Sequence, residues 1–101
     1  MSKEQLIKQM KTTIEQSPQR ADIRKLSLFG SYLTGESTEN SDIDVLVEFL
    51  PNAKVGFFKM YDVQKDLEKA VNKRVDLLTA NQLSRHFRSE VLKHAEAIYE
   101  R

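Results

Sequence analysis

The chain has 101 residues, of which 40% are hydrophobic and 31% charged, a balance typical of one folded domain and unlike that of a disordered chain. Its 16 basic and 15 acidic residues give a net charge of +1, so no overall field attracts a long nucleic acid or an anionic membrane. The absence of cysteine excludes disulfide frameworks, zinc ribbons and thiol nucleophiles.

The polar N-terminal segment indicates that the protein is cytoplasmic. Residues 2–5 are polar, whereas a signal peptide would carry an apolar core, and no run approaches the roughly 20 apolar residues of a membrane span. A chain without cysteine is also at no disadvantage in a reducing compartment. We therefore expect a single cytoplasmic domain over residues 1–101.

Residues 3–16 predict an amphipathic helix. Their apolar side chains recur at helical spacing, at Leu6, Ile7, Met10 and Ile14. Ser2 and Gln5 have the spacing of a capping box, in which each side chain bonds the backbone of the other residue. Pro18 follows the last turn, so we expect the helix to end just before it.

Two apolar strands and a short helix are predicted next. Residues 26–29 form a short apolar run that stops at Gly30. Ser31 is expected to cap a short helix that closes at Gly35. A polar loop then leads to residues 43–49, which are rich in β-branched and aromatic side chains and predict the clearest strand.

The second half predicts a long helix, a third strand and a helical C-terminus. Apolar residues between 55 and 71 mostly share one helical face, which ends near Asn72. This pattern places the aromatic residues of the first turns in the core, namely Phe57, Phe58 and Tyr61, with a base-stacking platform as the alternative. Residues 74–78 predict a strand, and the apolar spacing from residue 81 onward predicts one or two helices to the end.

This order of elements predicts an α/β (α+β) fold. Helices and strands alternate along the chain, and each strand is short. Alternation of this kind favours a layer of strands with helices packed against it. We expect a small mixed sheet of about three strands flanked by helices.

Two aspartates, Asp42 and Asp44, stand at the start of the second predicted strand. Alternate side chains of a strand share one face, so these carboxylates lie side by side, roughly 6.6 Å apart along the chain. Two such anions repel each other and favour a cation between them. Carboxylates on a rigid strand suit Mg²⁺, which leaves coordination positions for water and substrate phosphates. The simpler alternative is a turn residue at Asp42 and a solvent-facing strand position at Asp44.

Gly30 and Ser31 supply features that a phosphate site needs. A glycine lets the backbone approach a phosphate closely, and the start of a helix presents free N–H groups. The Ser31 hydroxyl is an additional donor. Ser31 acting only as a helix cap is compatible with the same sequence.

Asp76 lies in the third predicted strand between two apolar residues, where burial of an unpaired charge is costly. A metal shared with Asp42 and Asp44 would satisfy it, and an ion pair with Lys73 or Arg74 is the alternative. Three carboxylates could hold two metal ions, one on a triphosphate and one activating an attacking hydroxyl. Asp76 could also accept the proton of that hydroxyl.

Two basic clusters allow both a structural and a functional interpretation. The first is most simply the solvated face of the long helix, although it could meet an acidic partner; it comprises Lys65, Lys69, Lys73 and Arg74. The second lies near the start of the last helix, where a surface role competes with contact to a nucleotide; it comprises Arg85, His86 and Arg88.

The pattern of Gly30-Ser31, ten intervening residues, Asp42-Ile43-Asp44 and a later Asp76 resembles the nucleotidyltransferase superfamily that includes polymerase beta. It is most similar to the shortest members, the minimal nucleotidyltransferases. The resemblance covers essentially the whole chain, because the helix over residues 57–71 also fits. It implies that the three aspartates are catalytic and bind metal, and that Gly30 and Ser31 bind the nucleotide.

This resemblance implies transfer of AMP from ATP to an acceptor hydroxyl, with two Mg²⁺ ions. Minimal members are commonly antitoxins encoded beside HEPN-domain toxins, and several are thought to adenylylate a toxin tyrosine. We therefore expect a HEPN-type partner and a homo- or hetero-oligomer. Many members carry an Ala-Arg pair where this chain has Leu33-Thr34. That departure leaves open a binding module that neutralises its partner by contact alone.

Overall fold

The computed structural model describes residues 2–101. Its α-helices and strands, in chain order, are α1 (Lys3–Glu15), β1 (Ile23–Phe29), α2 (Ser31–Thr34), β2 (Ile43–Phe49), α3 (Phe57–Val71), β3 (Val75–Leu78), α4 (Arg85–His94) and β4 (Glu96–Glu100). Short 3-10 turns at Pro18–Asp22 and Ala80–Gln82 complete the described structure. Within residues 2–101, no helix is long and apolar enough to cross a membrane.

The strands form one mixed sheet in the order β3-β2-β1-β4. β1 pairs antiparallel with both β2 and β4, whereas β2 and β3 run parallel. A parallel pair needs a crossover connection, and α3 supplies it between β2 and β3. The predicted α/β class with a small mixed sheet is confirmed.

One face of the sheet is covered by α1 and α3. Ile43, Val45 and Val47 of β2 point to this face and are buried. They belong to the core cluster that also contains the apolar stripes of the two helices, namely Leu6, Met10, Ile14, Val63, Leu67 and Val71. The intervening residues of β2 point to the opposite face, which we call the open face.

The N-terminal helix forms as predicted. The Gln5 N–H donates to the Ser2 hydroxyl at 3.2 Å, and the Ser2 N–H donates to the Gln5 side chain at 2.9 Å. These two bonds satisfy donors that a helix start would otherwise leave unpaired. The long helix also ends as predicted, because Asn72 adopts a left-handed conformation directly after Val71.

β1 begins three residues earlier than predicted, at Ile23 instead of Leu26. The charged residues Arg24 and Lys25 interrupt the apolar run, so the sequence pattern does not indicate a strand there. Ile23 is fully buried and pairs with Phe49, while Arg24 points to solvent. Pairing with β2 therefore extends the strand through residues whose composition is polar.

The helical prediction for the C-terminus is wrong beyond His94. α4 ends there, and Glu96–Glu100 forms β4 beside β1, so the sheet has four strands where about three were expected. The apolar residues Ile98 and Tyr99 fit a helical spacing as well as a strand. Hydrogen bonding to the free edge of β1 decides between the two.

The prediction that the aromatic residues of α3 lie in the core is also wrong. Phe57 is 76% exposed, Phe58 79% and Tyr61 47%. Their rings pack on each other, with centroids 5.8 Å apart for Phe57 and Phe58 and 6.4 Å apart for Phe57 and Tyr61. The buried stripe of α3 runs instead through Val63, Leu67 and Val71.

Candidate active site

Asp44 and Asp76 lie side by side on neighbouring strands. They are register partners in the parallel pair of β2 and β3, so their side chains point to the same face of the sheet. Asp44 lies on the open face, because its neighbours Ile43 and Val45 face the core. Asp42 stands just before β2, two residues ahead of Asp44. The fold therefore gathers the three predicted aspartates at one end of the open face.

Asp44 experiences the charge of both other aspartates. Its side chain is partly buried, and the pKa of Asp44 is raised above its ordinary value of 3.8 by this burial, then by the charges of Asp76 and Asp42. The cation nearest to this group is Arg74, whose Nε lies 4.0 Å from the Asp42 Oδ1. The Arg74 side chain is 88% exposed, so solvent screens the pair. The cluster thus carries an uncompensated negative charge.

The structure brings Arg74 to Asp42, whereas the sequence had suggested Arg74 or Lys73 as a partner for Asp76. Asp76 is exposed, so the expectation of a charge in a buried apolar setting is wrong. Val75 and Leu77 face the core on the other side of the strand. The charge of Asp76 is therefore solvated and accessible to a substrate.

Gly30 is held against Asp44. Its backbone has φ +78° and ψ −153°, a conformation essentially confined to glycine. A β-carbon at this position would lie 2.9 Å from the Cγ of Asp44 and 3.0 Å from its Cβ, with a carboxylate oxygen nearer still. Asp44 occupies its place only because residue 30 has no side chain.

α2 starts directly beside this contact. Its N-cap is Gly30 and the cap has no side-chain hydrogen bond, so the predicted capping role of Ser31 is wrong. Ser31 is instead the first helical residue, and Gly35 closes the helix in a left-handed conformation as predicted. The Ser31 hydroxyl is therefore not used to cap the helix.

The loop before β2 is tied back to α2. The Tyr32 hydroxyl donates to the Ser41 carbonyl at 3.5 Å. The Thr38 N–H donates to the Ser41 hydroxyl at 2.9 Å. These bonds act on the residue before Asp42 and so restrict where this carboxylate can lie.

The structure does not bring the basic start of α4 to the aspartates. α4 begins after the far end of β3, where Leu78 pairs with Leu46. The Arg88 guanidinium donates there to the carbonyls of Leu83 at 3.2 Å and Asn81 at 3.5 Å. A structural role for this cluster is the interpretation that these contacts support.

Glu68 is a residue at the site that sequence analysis missed. Its carboxylate accepts the Val75 N–H at 2.9 Å and pairs with Lys65 at 3.2 Å. β3 is an edge strand, and Glu68 satisfies a donor at the residue directly before Asp76. This hydrogen bond is the main cause of a lowered pKa of Glu68. Only the packing of α3 against β3 brings the two groups together, and no local sequence signal indicates it.

We expect Glu68→Gln to lower the free energy of unfolding by about 1–2 kcal/mol at pH 7, because a charge-assisted hydrogen bond is weakened. An acid whose pKa is lowered on folding stabilises the fold above its unfolded pKa, near 4.5. That contribution is lost as the pH falls through the folded pKa. Urea unfolding at pH 7 and pH 3 checks this, and a difference of equal size at both pH values would contradict it.

A mixed sheet with three aspartates clustered on its open face, and a glycine turn against one of them, defines an α/β protein of nucleotidyltransferase type. The family described as polymerase beta, nucleotidyltransferase matches residues 8–101. The chain belongs to this family.

Similar proteins include protein adenylyltransferases. The chain is 34% identical over 83 residues to protein adenylyltransferase MntA of Thermococcus cleftensis, a match that covers 80% of this chain and 78% of that protein. It is 44% identical over 57 residues to a protein of Methanocaldococcus jannaschii assigned the same activity, a match that covers 56% of this chain and 57% of the relative. The aligned segment is thus little more than half of that relative.

Two solved structures show the same fold. A protein assigned as a minimal nucleotidyltransferase is 27% identical and superposes with a TM-score of 0.76, over 94% of each chain. A complex of tri-AMPylated HEPN toxin and MNT antitoxin from Shewanella oneidensis contains a chain that is 20% identical, with a TM-score of 0.57, over 98% of this chain and 70% of that one. At this identity the second likeness shows the fold alone.

Proposed function

We propose that this chain is a protein adenylyltransferase that transfers AMP from ATP to a tyrosine hydroxyl of a HEPN-type toxin and so acts as its antitoxin. The observation that carries the proposal is the juxtaposition of Asp44 and Asp76 on the open face, with Asp42 and Gly30 beside them. The similarity to an MntA adenylyltransferase supports the choice of AMP and of a protein acceptor. The complex from S. oneidensis motivates the choice of partner.

The aspartates fit Mg²⁺ as a donor set. In residues 2–101, no three acidic, histidine or cysteine side chains lie together in a way that could hold a metal ion by themselves. Mg²⁺ needs no such cage, because it commonly takes one or two protein carboxylates and fills its other positions with water and substrate phosphates. Burial, and then the charges of Asp76 and Asp42, raise the pKa of Asp44, and a cation beside this carboxylate would offset those effects. Asp42, Asp44 and Asp76 would hold the two ions.

Bound Mg²⁺ would neutralise the triphosphate and promote ionisation of the attacking hydroxyl. The chain's own residues position the reactants. Gly30 admits the Asp44 carboxylate against the backbone at the start of α2. The free Ser31 hydroxyl, the first side chain of that helix, can donate to a phosphate. Asp76 is exposed and can accept the proton of the tyrosine hydroxyl as its oxygen attacks the α-phosphate and pyrophosphate leaves.

One observation favours a second candidate, a module that neutralises its partner by contact without transfer. α2 has the sequence Ser-Tyr-Leu-Thr and therefore brings no cation to the triphosphate. The nearest cation, Arg74, extends into solvent. This candidate requires binding of the partner to be independent of the aspartates.

Transfer to the protein encoded beside this chain tests the two candidates. The purified neighbour is incubated with Mg²⁺, ATP labelled on its α-phosphate, and either the wild type or Asp42→Asn/Asp44→Asn. The enzyme hypothesis expects label on a neighbour tyrosine with the wild type only. Neutralisation of the neighbour that survives the double substitution, without any label, would instead establish the contact-only module.

A further inference from the structure

The solvent side of α3 carries a continuous row of side chains that the proposed chemistry does not use. Phe58, Tyr61, Lys65 and Lys69 follow one another at spacings of three or four residues, which places them on one helical face. This face lies away from the buried stripe. We call these four residues, together with Phe57 and Lys73, the α3 track.

The first end of the α3 track is aromatic. Phe57, Phe58 and Tyr61 are more exposed than a core position allows. Phe57 meets Phe58 edge to face and stacks on Tyr61, and the Lys65 ammonium lies 5.4 Å from the centre of the Tyr61 ring. Contiguous exposed aromatic side chains of this kind mark protein interaction surfaces, where they act as anchors.

The other end of the α3 track is basic. Lys65, Lys69 and Lys73 line an open cleft of about 370 Å³ together with Glu68 and Asn72. Lys65 pairs with Glu68, whereas in residues 2–101 no acidic side chain lies within 4.0 Å of the ammonium of Lys69 or Lys73. Lysines spaced four apart on one helix repel each other. Within residues 2–101, Lys69 and Lys73 form no ion pair, and an acidic partner would supply one.

The basic end leads to the aspartate cluster. After Val71 the chain passes through Lys73 and Arg74 into β3, and Arg74 reaches Asp42. The α3 track therefore extends from an aromatic anchor to the edge of the candidate active site. Its length is about 20 Å at 1.5 Å per residue, which a single element of a partner protein can span.

We propose that the α3 track is the docking surface for the acceptor protein, an inference that rests on the proposed function. The occupant is an acidic segment of the acceptor with an apolar side chain at one end, which seats against Phe57 and Phe58. Its carboxylates meet Lys69 and Lys73. The acceptor hydroxyl then reaches the aspartates around the start of β3, because α3 and the aspartates lie on opposite faces of the sheet. A second copy of the chain fits less well, because it would bring the same unneutralised lysines to the interface.

Binding without catalysis tests the α3 track. The probe is the purified product of the neighbouring gene, titrated calorimetrically into the chain without nucleotide or metal. We expect Lys69→Glu and Phe58→Ala each to raise Kd about tenfold or more. Lys11→Glu is the matched control, because Lys11 is an exposed lysine on the other long helix, and it should leave Kd unchanged. Thermal melting of each variant verifies that it is folded.

The outcomes separate this proposal from the proposed function. Binding that depends on the α3 track, but without label transfer by the wild type, would support docking and remove the enzyme hypothesis. Label transfer with the same acceptor KM in Lys69→Glu, Phe58→Ala and Lys11→Glu would refute docking and retain the enzyme. Sedimentation of the chain alone tests whether a second copy occupies the α3 track. Dimerisation that Phe58→Ala abolishes, with unchanged acceptor binding, would assign the surface to that second copy and overturn the proposal.

Discussion

Gly30→Ala should lower the free energy of unfolding by at least about 2 kcal/mol and reduce AMP transfer to background. An alanine at φ +78°, ψ −153° is strained by about 1–3 kcal/mol. Its β-carbon would also collide with the Asp44 carboxylate. Asp44 must then move away from Asp76, which disrupts the pair of carboxylates. Chemical unfolding and the label-transfer assay measure the two effects.

Two other glycines provide matched controls. Gly35 has φ +83°, and a β-carbon added there would meet nothing within 4 Å, so Gly35→Ala reports backbone strain without a collision. Gly56 has an extended backbone and equally open surroundings. Gly56→Ala should therefore leave AMP transfer unchanged and lower stability only because alanine is a poorer N-cap of α3 than glycine. Equal losses of transfer activity for Gly30→Ala and Gly35→Ala would show that contact with Asp44 is not the reason for the glycine.

Asp44→Asn is expected to stabilise the metal-free protein while lowering AMP transfer by about a thousandfold or more. Folding raises the pKa of Asp44, so the folded state binds this proton more tightly than the unfolded state. The stability of the wild type therefore falls as the pH rises from the unfolded pKa, near 3.8, through the folded pKa. An asparagine carries no charge at any pH and avoids that loss.

Unfolding in the presence of a chelator checks this prediction. At pH 7 we expect Asp44→Asn to be more stable than the wild type by about 0.5–2 kcal/mol, and at pH 3 the gain should disappear. Asp62→Asn, an exposed position on α3, controls for the change of net charge. Mg²⁺ with ATP should then stabilise the wild type more than Asp44→Asn. A less stable Asp44→Asn at pH 7 would contradict the inferred cost of a charge at this partly buried position beside two other aspartates.

Gly30 and Asp44 place opposite demands on the stability of one small region. Gly30 is required because its missing side chain leaves space for the Asp44 carboxylate. In that position Asp44 lies close to the like charges of Asp42 and Asp76. The site is thus less stable than it would be with neutral residues, as expected where a bound cation and nucleotide complete it.

Local signals were sufficient for much of the fold. The capping box at Ser2 and Gln5, the strand Ile43–Phe49 and the end of α3 at Asn72 all agree with the structure. Each depends on neighbours in the chain: hydrogen bonds over three residues, β-branched side chains in succession, or a residue that accepts a left-handed backbone. The aspartates and Gly30 were predicted as site residues from residue type, spacing and the family resemblance, although the buried setting expected for Asp76 was wrong.

Pairing and packing between distant segments decided those parts of the fold that local signals did not predict. The last five residues before Arg101 form β4 only because β1 offers them a free edge, and local spacing also allowed a helix. Phe57 and Phe58 are exposed because α3 turns other residues toward the sheet.

The sequence by itself therefore determined which residues are candidates for the site and the α/β class of the fold. Only the tertiary structure decided that Asp76 stands in register with Asp44, that Gly30 admits its carboxylate and that Glu68 holds the residue before Asp76. The physical reason is that these contacts join residues brought together by sheet register and helix packing, which depend on interactions between distant parts of the chain.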